Sequence, residues 1–275
     1  MDAIEQEVMP FPEGKRRSRR FRRGIYLLPS LMTGANLLCG YYASIASLTG
    51  GTENLDHAAK AIGIAIVFDA LDGRIARLTG TNTEFGVQFD SIADVVSFGI
   101  APAILAYAWG YRSVTGLTFE GFDQLGHFAW ITCLAFLICC AWRLARFNVQ
   151  GMAPGGSKNF VGMPTPAAAG VVAAIVHSCH WIGPLTTRGW AIAWFALMLA
   201  LGALMTSTVR YYSFKDIPWT RKQPSITVIL LVILVAVIWR YSEYVLVIIA
   251  CVYALLGITL HVVRVLRHRL VARTA

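Results

Sequence analysis

Four aspartates stand out in a chain of 275 residues that is 56% hydrophobic and 14% charged. Asp69 and Asp72 are three residues apart and Asp90 and Asp94 four apart, so each pair shares one face of a helix. Small and polar residues at 79–83 predict a turn, and the resulting helical hairpin would bring the four carboxylates together. Hard carboxylate oxygens suit Mg²⁺ or Mn²⁺. Two such ions on a pyrophosphate would polarise a phosphorus atom and stabilise a leaving oxygen.

Residues beside the aspartates fit the same chemistry. Gly73 and Gly86 lack side chains and would let a bulky nucleotide approach the helix backbone, although close helix packing explains either glycine alone. The planar guanidinium of Arg77 suits a bidentate phosphate contact. A carboxylate near a bilayer centre costs about 2.5–3.5 kcal/mol. Bound cations therefore explain four clustered aspartates better than a purely structural ion network does.

Long apolar runs surround this cluster and predict the fold. A transmembrane helix needs about 20 apolar residues. Eight runs qualify: 26–49, 58–79, 88–111, 127–147, 164–182, 189–211, 225–240 and 243–263. We predict an all-α fold, a polytopic membrane helix bundle of about eight transmembrane helices with a six-helix core. The chain divides into a basic arm (1–24), the membrane core (25–216), and two additional helices with a basic tail (217–275).

The net charge of +9 is concentrated beside predicted spans. Seven basic residues lie within 15–23, and four arginines lie in the last twelve residues. This distribution favours anionic lipid headgroups over nucleic acid, which we do not expect as a partner. The positive-inside rule places both termini and the aspartates on the cytoplasmic side. All six cysteines fall inside apolar runs, so no disulfide framework is expected.

The stretch 68–99 resembles a family signature. It reads D-x2-D-G-x2-A-R-x8-G-x3-D-x3-D and is similar to the motif of the CDP-alcohol phosphatidyltransferases. The resemblance implies that CMP is the leaving group, that a divalent metal is bound, and that Asp94 activates the acceptor hydroxyl as ligand, base or both. The resemblance also assigns residues to metal ligation and to contacts with the CDP-lipid or its nucleotide. The implied metal ligands are Asp69, Asp72, Asp90 and Asp94. The implied contact residues are Thr33, Asn36, Gly73, Ala76, Arg77, Thr83 and Gly86.

Segments further along resemble one branch of that family. Residues 90–103, 143–148, 160–170 and 210–216 are similar to the integral membrane CDP-diacylglycerol–serine O-phosphatidyltransferases. The resemblance implies CDP-diacylglycerol and L-serine as substrates, a homodimer, and the cytoplasmic membrane of a prokaryote. Arg143 and Arg146, three residues apart, would hold the serine carboxylate or the lipid phosphate, unless both are interfacial anchors.

Other interpretations remain open at this stage. Glycerol 3-phosphate or inositol phosphate could be the acceptor, because the same two arginines would suit a phosphate. A secondary transporter also carries intramembrane carboxylates, but it predicts inverted repeats that this chain lacks. A scaffold that binds anionic lipid leaves residues 68–99 unexplained. His177 and His180 are expected to have packing or interfacial roles, because no carboxylate or cysteine is expected near them.

Overall fold

The fold is known from a computed structural model that describes residues 18–80, 83–111, 124–152, 162–179, 187–207, 237–238, 240–254 and 259. Positions 18–28, 77 and 150–152 are described by their backbone alone. Within these residues every regular element is helical and none is a strand. The predicted all-α class is confirmed for the part of the chain that is described.

The described helices have the following bounds, in chain order. They are α1 (Ser18–Thr49), α2 (Thr52–Thr79), α3 (Glu84–Asp94), a π-helical segment (Val95–Ile100), α4 (Ala101–Gly110), α5 (Gln124–Met152), α6 (Thr165–Ser178) and α7 (Arg188–Thr206). Residues 240–254 form a further helix, called here the C-terminal helix. The segment α3–π–α4 is continuous and corresponds to the third predicted span.

Three described helices are long and apolar enough to cross a bilayer: Glu84–Gly110, Gln124–Val149 and Arg188–Thr206. The chain is therefore a membrane protein. Helix α6 is apolar but shorter, and α2 contains Asp69 and Asp72 among its charged residues. The predicted seventh span (225–240) lies almost wholly outside the described residues, and the C-terminal helix covers part of the eighth. The count of eight spans stays a prediction.

Small buried residues let the helices approach closely. Ala43 of α1 and Ala58 and Ala65 of α2 are fully buried, and α1 packs against α2 along much of its length. Such small residues are typical of helix contacts in membranes. Helix α6 packs on α2, and α5 packs on α7. The Trp194 indole N–H of α7 donates to the Ala106 carbonyl of α4 at 3.0 Å, which joins α7 to the helix that follows the aspartates.

Candidate active site

The turn between α2 and α3 has the chemistry predicted from its sequence. Gly80 ends α2 in the left-handed conformation (φ 63°), which glycine adopts without steric cost, and its N–H donates to the Ala76 carbonyl. Thr83 caps α3, its hydroxyl accepting from the Gly86 N–H at 3.0 Å. The two helices have little direct packing with each other, whereas α1 packs on both. Helix α1 therefore fixes the distance between the two carboxylate-bearing helices.

Three of the four aspartates converge. Asp69, Asp72 and Asp90 each offer a carboxylate oxygen, and these oxygens all lie within 4.8 Å of one another. Asp72 is buried, and Asp69 and Asp90 are half-buried. The buried Oδ1 atom of Asp90 has no hydrogen-bond partner among the described residues. Carboxylates held this close repel one another, and an acceptor atom left buried without a donor is costly.

The donor set fits a divalent cation. Three carboxylates supply hard oxygen ligands of the kind Mg²⁺ and Mn²⁺ prefer, and a cation would satisfy the Asp90 oxygen and offset the repulsion. Asp94 is not a member of this group of three. It lies one helical turn beyond Asp90 and interacts electrostatically with Asp69, Asp90 and Asp72. The site thus combines a cluster of three carboxylates with a fourth carboxylate beside it.

Helix α1 holds one carboxylate of each pair. The Thr33 hydroxyl donates to Asp72 Oδ2 at 3.0 Å, and the Asn36 amide donates to Asp94 Oδ1 at 3.2 Å. Both donors are buried, Asn36 completely. Sequence reasoning assigned these two residues to the nucleotide, and the structure places them on the carboxylates. The Oδ1 atom of Asn36 is buried without a partner among the described residues, so it is the atom that remains for a substrate contact.

A buried contact behind Asp94 was missed by sequence reasoning. The Ser97 hydroxyl, in the π-helical segment, donates to the Asn36 backbone carbonyl at 2.9 Å. Gly40 lies against Ser97 so closely that a Cβ atom there would be 2.4 Å from Ser97 Oγ. π-Helical turns occur frequently at functional sites. The only signal for this contact was a serine and a glycine in apolar runs, which many packing contacts share.

The predicted nucleotide-binding residues have different surroundings. A Cβ atom at Gly73 would meet nothing within 4 Å, so helix packing does not explain this glycine. A Cβ at Gly86 would lie 3.0 Å from Thr83 Oγ1, which is a local reason for glycine in the cap. Ala76 is half-buried near the end of α2. The side chain of Arg77 lies outside the described residues.

The two arginines of α5 have separate environments. Arg143 interacts electrostatically with Asp94, and its Nε atom is buried without a hydrogen-bond partner among the described residues. Arg146 donates instead to the Thr206 carbonyl of α7 at 3.4 Å. Arg143 thus keeps a buried nitrogen that no described residue uses, whereas Arg146 has a contact that joins α5 to α7.

One expectation about the histidines is wrong. A carboxylate does accompany His177, since its Nδ1 atom lies 2.5 Å from Asp56 Oδ1. Asp56 is in the first turns of α2 and His177 in the last turn of α6, and these two helices pack together. Asp56 lies just before the predicted span 58–79, and sequence reasoning did not pair it with His177. His180 lies outside the described residues.

The matches between this chain and known proteins agree with one another. Residues 26–187 match the family model of the CDP-alcohol phosphatidyltransferases. The chain is 33% identical over 206 residues to a CDP-diacylglycerol–serine O-phosphatidyltransferase of Helicobacter pylori, covering 72% of this chain and 77% of the relative. It is 34% identical over 176 residues to the enzyme of that name from Methanocaldococcus jannaschii, covering 64% and 74%. It is also 34% identical over 189 residues to an archaetidylserine synthase of Methanothermobacter thermautotrophicus, covering 67% and 69%.

Proposed function

The chain belongs to the CDP-alcohol phosphatidyltransferase family, and we propose that it transfers the phosphatidyl group of CDP-diacylglycerol to the hydroxyl of L-serine, releasing CMP. The observation that carries this proposal is the convergence of Asp69, Asp72 and Asp90 within 4.8 Å, with Asp94 beside them. The names of the relatives, which include serine O-phosphatidyltransferases from bacteria and archaea, support serine as the acceptor.

The three converging carboxylates would hold Mg²⁺ or Mn²⁺, and we propose two ions, with Asp94 as a further ligand, base or both. Such ions, when bound, polarise the phosphoryl oxygens and stabilise the charge that develops on the leaving oxygen. Thr33 orients Asp72 for this role through its 3.0 Å hydrogen bond. Metal-binding carboxylates are commonly fixed by such a second donor.

Asp94 is our candidate for the general base. Asn36 holds one of its oxygens, and the other takes the proton of the serine hydroxyl as the hydroxyl oxygen attacks the β-phosphorus. The bond from that phosphorus to CMP breaks in the same direct displacement, so no phosphatidyl-enzyme forms. A positioned base of this kind contributes about 10²–10⁴ in rate.

Arg143 is our candidate for the serine carboxylate. Its guanidinium lies in the electrostatic field of Asp94, with an Nε donor that no described residue uses. A charge-assisted hydrogen bond there would place the serine hydroxyl near the base. The open space around Gly73, together with Ala76, Arg77, Thr83 and Gly86 from the family resemblance, would accommodate the CDP-lipid.

The proposed location is the cytoplasmic membrane of a prokaryote, with both termini and the site on the cytoplasmic side. The basic segment 15–23 supports this orientation. Exposed apolar side chains on α1, among them Leu38, Tyr41 and Ile45, need a bilayer or another subunit to cover them. A homodimer is expected from the family resemblance.

A comparison of acceptors tests the proposal. Purified protein receives CDP-diacylglycerol with Mn²⁺ or Mg²⁺, and labelled serine, glycerol 3-phosphate or inositol phosphate is supplied separately. We expect label in the lipid fraction only with serine, with one CMP released per labelled lipid. Labelled lipid formed only from glycerol 3-phosphate or inositol phosphate would agree with the proposed reaction class but overturn serine as the acceptor. An Asp94→Asn variant that reacts at the wild-type rate would overturn the assignment of Asp94 as the base.

A further inference from the structure

Asp90 lacks the direct support that α1 gives to two of the other aspartates. Asp72 and Asp94 each accept a hydrogen bond from α1, whereas the buried Oδ1 atom of Asp90 has no donor among the described residues. Helix α3, which carries Asp90, has 11 residues and packs mainly on α1, with little direct packing on α2. The position of the Asp90 carboxylate therefore depends on what else holds the backbone of α3.

A side-chain hydrogen bond joins α3 to α5 directly beside this carboxylate. The Asn148 amide donates to the Ser91 hydroxyl at 2.8 Å, and that hydroxyl donates to the Val87 carbonyl at 3.0 Å within α3. Ser91 directly follows Asp90, whereas Asn148 lies near the end of α5, 57 residues further along the chain. Both side chains of the pair are half-buried. Asparagine and serine side chains join neighbouring helices of membrane proteins by bonds of this kind.

Helix α5 meets the same span a second time. It packs on the π-helical segment that follows α3, where a Cβ atom at Gly99 would lie 3.3 Å from Cys140 Sγ. Ser91 precedes Gly99 by eight residues, and Asn148 follows Cys140 by eight. The two segments therefore run antiparallel, with two contacts about 12 Å apart along the helix axis. Asp94 lies between these contacts in the sequence.

The two contacts have different consequences for α3. The close approach at Gly99 limits the distance between the helices, whereas the directional bond at Ser91 limits the rotation of α3 about its own axis. Adjacent residues are about 100° apart around a helix, so a rotation that breaks the bond at Ser91 also turns Asp90 away from Asp69 and Asp72. Their oxygens now lie within 4.8 Å of one another. Divalent ions, and Mg²⁺ above all, bind weakly when the ligand geometry is distorted.

We propose that Asn148 is a positioning residue for the metal site: it fixes the rotation of α3 through Ser91 and thereby places the Asp90 carboxylate beside Asp69 and Asp72. This inference rests on the proposed function, in which these three carboxylates hold the divalent ions. Asn148 and Ser91 act through Asp90, and the role requires neither of them to contact an ion or a substrate. Loss of their hydrogen bond weakens metal binding.

Four variants and a matched control test the proposal. Asn148→Leu removes the amide at similar side-chain volume, Ser91→Ala removes the hydroxyl that accepts from it, and a double variant combines the two changes. Ser91→Thr keeps a hydroxyl. Asn54→Leu is the control, because the Asn54 amide donates to the Gly50 carbonyl at 2.8 Å. That contact is local to the start of α2, and Asn54 precedes Asp72 by 18 residues, or about 27 Å along the helix.

The measurement is Mn²⁺ binding to purified, metal-stripped protein. Electron paramagnetic resonance reports the free Mn²⁺ in each mixture and gives a dissociation constant without lipid substrate or acceptor. We expect Asn148→Leu and Ser91→Ala each to raise this constant about three- to tenfold, the effect of one lost hydrogen bond. Because both changes remove the same bond, the double variant should bind within about twofold of either single variant. Ser91→Thr and Asn54→Leu should bind as wild type.

The outcomes separate this inference from the proposed function. Unchanged Mn²⁺ binding in both Asn148→Leu and Ser91→Ala would overturn the inference and leave the proposed function intact. Fully additive losses in the double variant would also overturn it, as would an equal loss in Asn54→Leu, which would indicate general loosening of the fold. Wild-type protein that binds Mn²⁺ but transfers nothing to serine would overturn the proposed function and not the inference. Wild-type protein that binds no Mn²⁺ would overturn both.

Discussion

Substitution of Gly40 by alanine should damage the site without touching any of its functional groups. A Cβ at position 40 would lie 2.4 Å from Ser97 Oγ and 2.6 Å from Ser97 Cα. Because carbon atoms pack at about 3.5–4.0 Å, α1 and the π-helical segment would have to separate by about 1 Å. Overpacking of this kind costs about 1–3 kcal/mol in stability.

The same displacement reaches the proposed base. Asn36 is on α1 and Asp94 directly precedes the π-helical segment, and their hydrogen bond is already 3.2 Å long. A further shift of about 1 Å would lengthen this bond beyond about 3.5 Å, where such a hydrogen bond is lost. Misplacing a catalytic group by about 1 Å can lower the rate about 10²-fold. We therefore expect Gly40→Ala to lower kcat about 100-fold.

The assay is CMP release by purified protein at saturating CDP-diacylglycerol and serine. Gly63→Ala is the matched control, because a Cβ at this exposed glycine of α2 would meet nothing within 4 Å. Far-ultraviolet circular dichroism and the melting temperature verify that both variants fold. A folded Gly40→Ala protein whose kcat is within threefold of the Gly63→Ala control would refute the reasoning.

Three further substitutions separate the roles of individual contacts. Asn36→Leu removes a buried donor to the proposed base. Because such a bond is worth about 1.5–3 kcal/mol, we expect kcat to fall at least tenfold. The melting temperature verifies that the variant folds. Thr33→Val removes the donor to Asp72 at nearly constant volume and should raise the metal concentration needed for half-maximal activity. Thr33→Ser keeps the hydroxyl and should leave that concentration unchanged. Equal metal dependence of the two variants would contradict a role for this hydrogen bond. Arg143→Gln should raise the serine KM at least tenfold, because one charge-assisted hydrogen bond to serine is lost. Arg146→Gln should mainly lower the melting temperature. The opposite result would reverse the two assignments.

Much of the site was predictable because it depends on local spacing. Asp69 and Asp72, and Asp90 and Asp94, occupy helical faces whose period follows from the geometry of the α-helix. The turn around Gly80 follows from the chemistry of glycine and threonine at helix ends. Apolar runs likewise predicted helices where α1 to α7 lie, and three of the described helices are long and apolar enough to cross a bilayer.

Contacts between distant segments were beyond sequence reasoning. The pairing of Thr33 with Asp72 joins residues 39 apart, and that of His177 with Asp56 joins residues 121 apart. Helix packing determines both pairs, and no periodicity within one helix reveals which helices are neighbours. The contact of Arg146 with the Thr206 carbonyl has the same origin, because it depends on the packing of α5 against α7.

The central claim is that the carboxylate cluster binds the divalent ions on which phosphatidyl transfer depends, and a metal titration tests it most directly. CMP release is measured in protein stripped with EDTA and then supplied with Mn²⁺ or Mg²⁺, for wild type and for Asp90→Asn. We predict no serine-dependent release without metal and full recovery in wild type. Asp90→Asn should need at least tenfold more metal, because it loses a charged oxygen ligand. Undiminished CMP release in EDTA, or an Asp90→Asn titration that overlays wild type, would contradict the account.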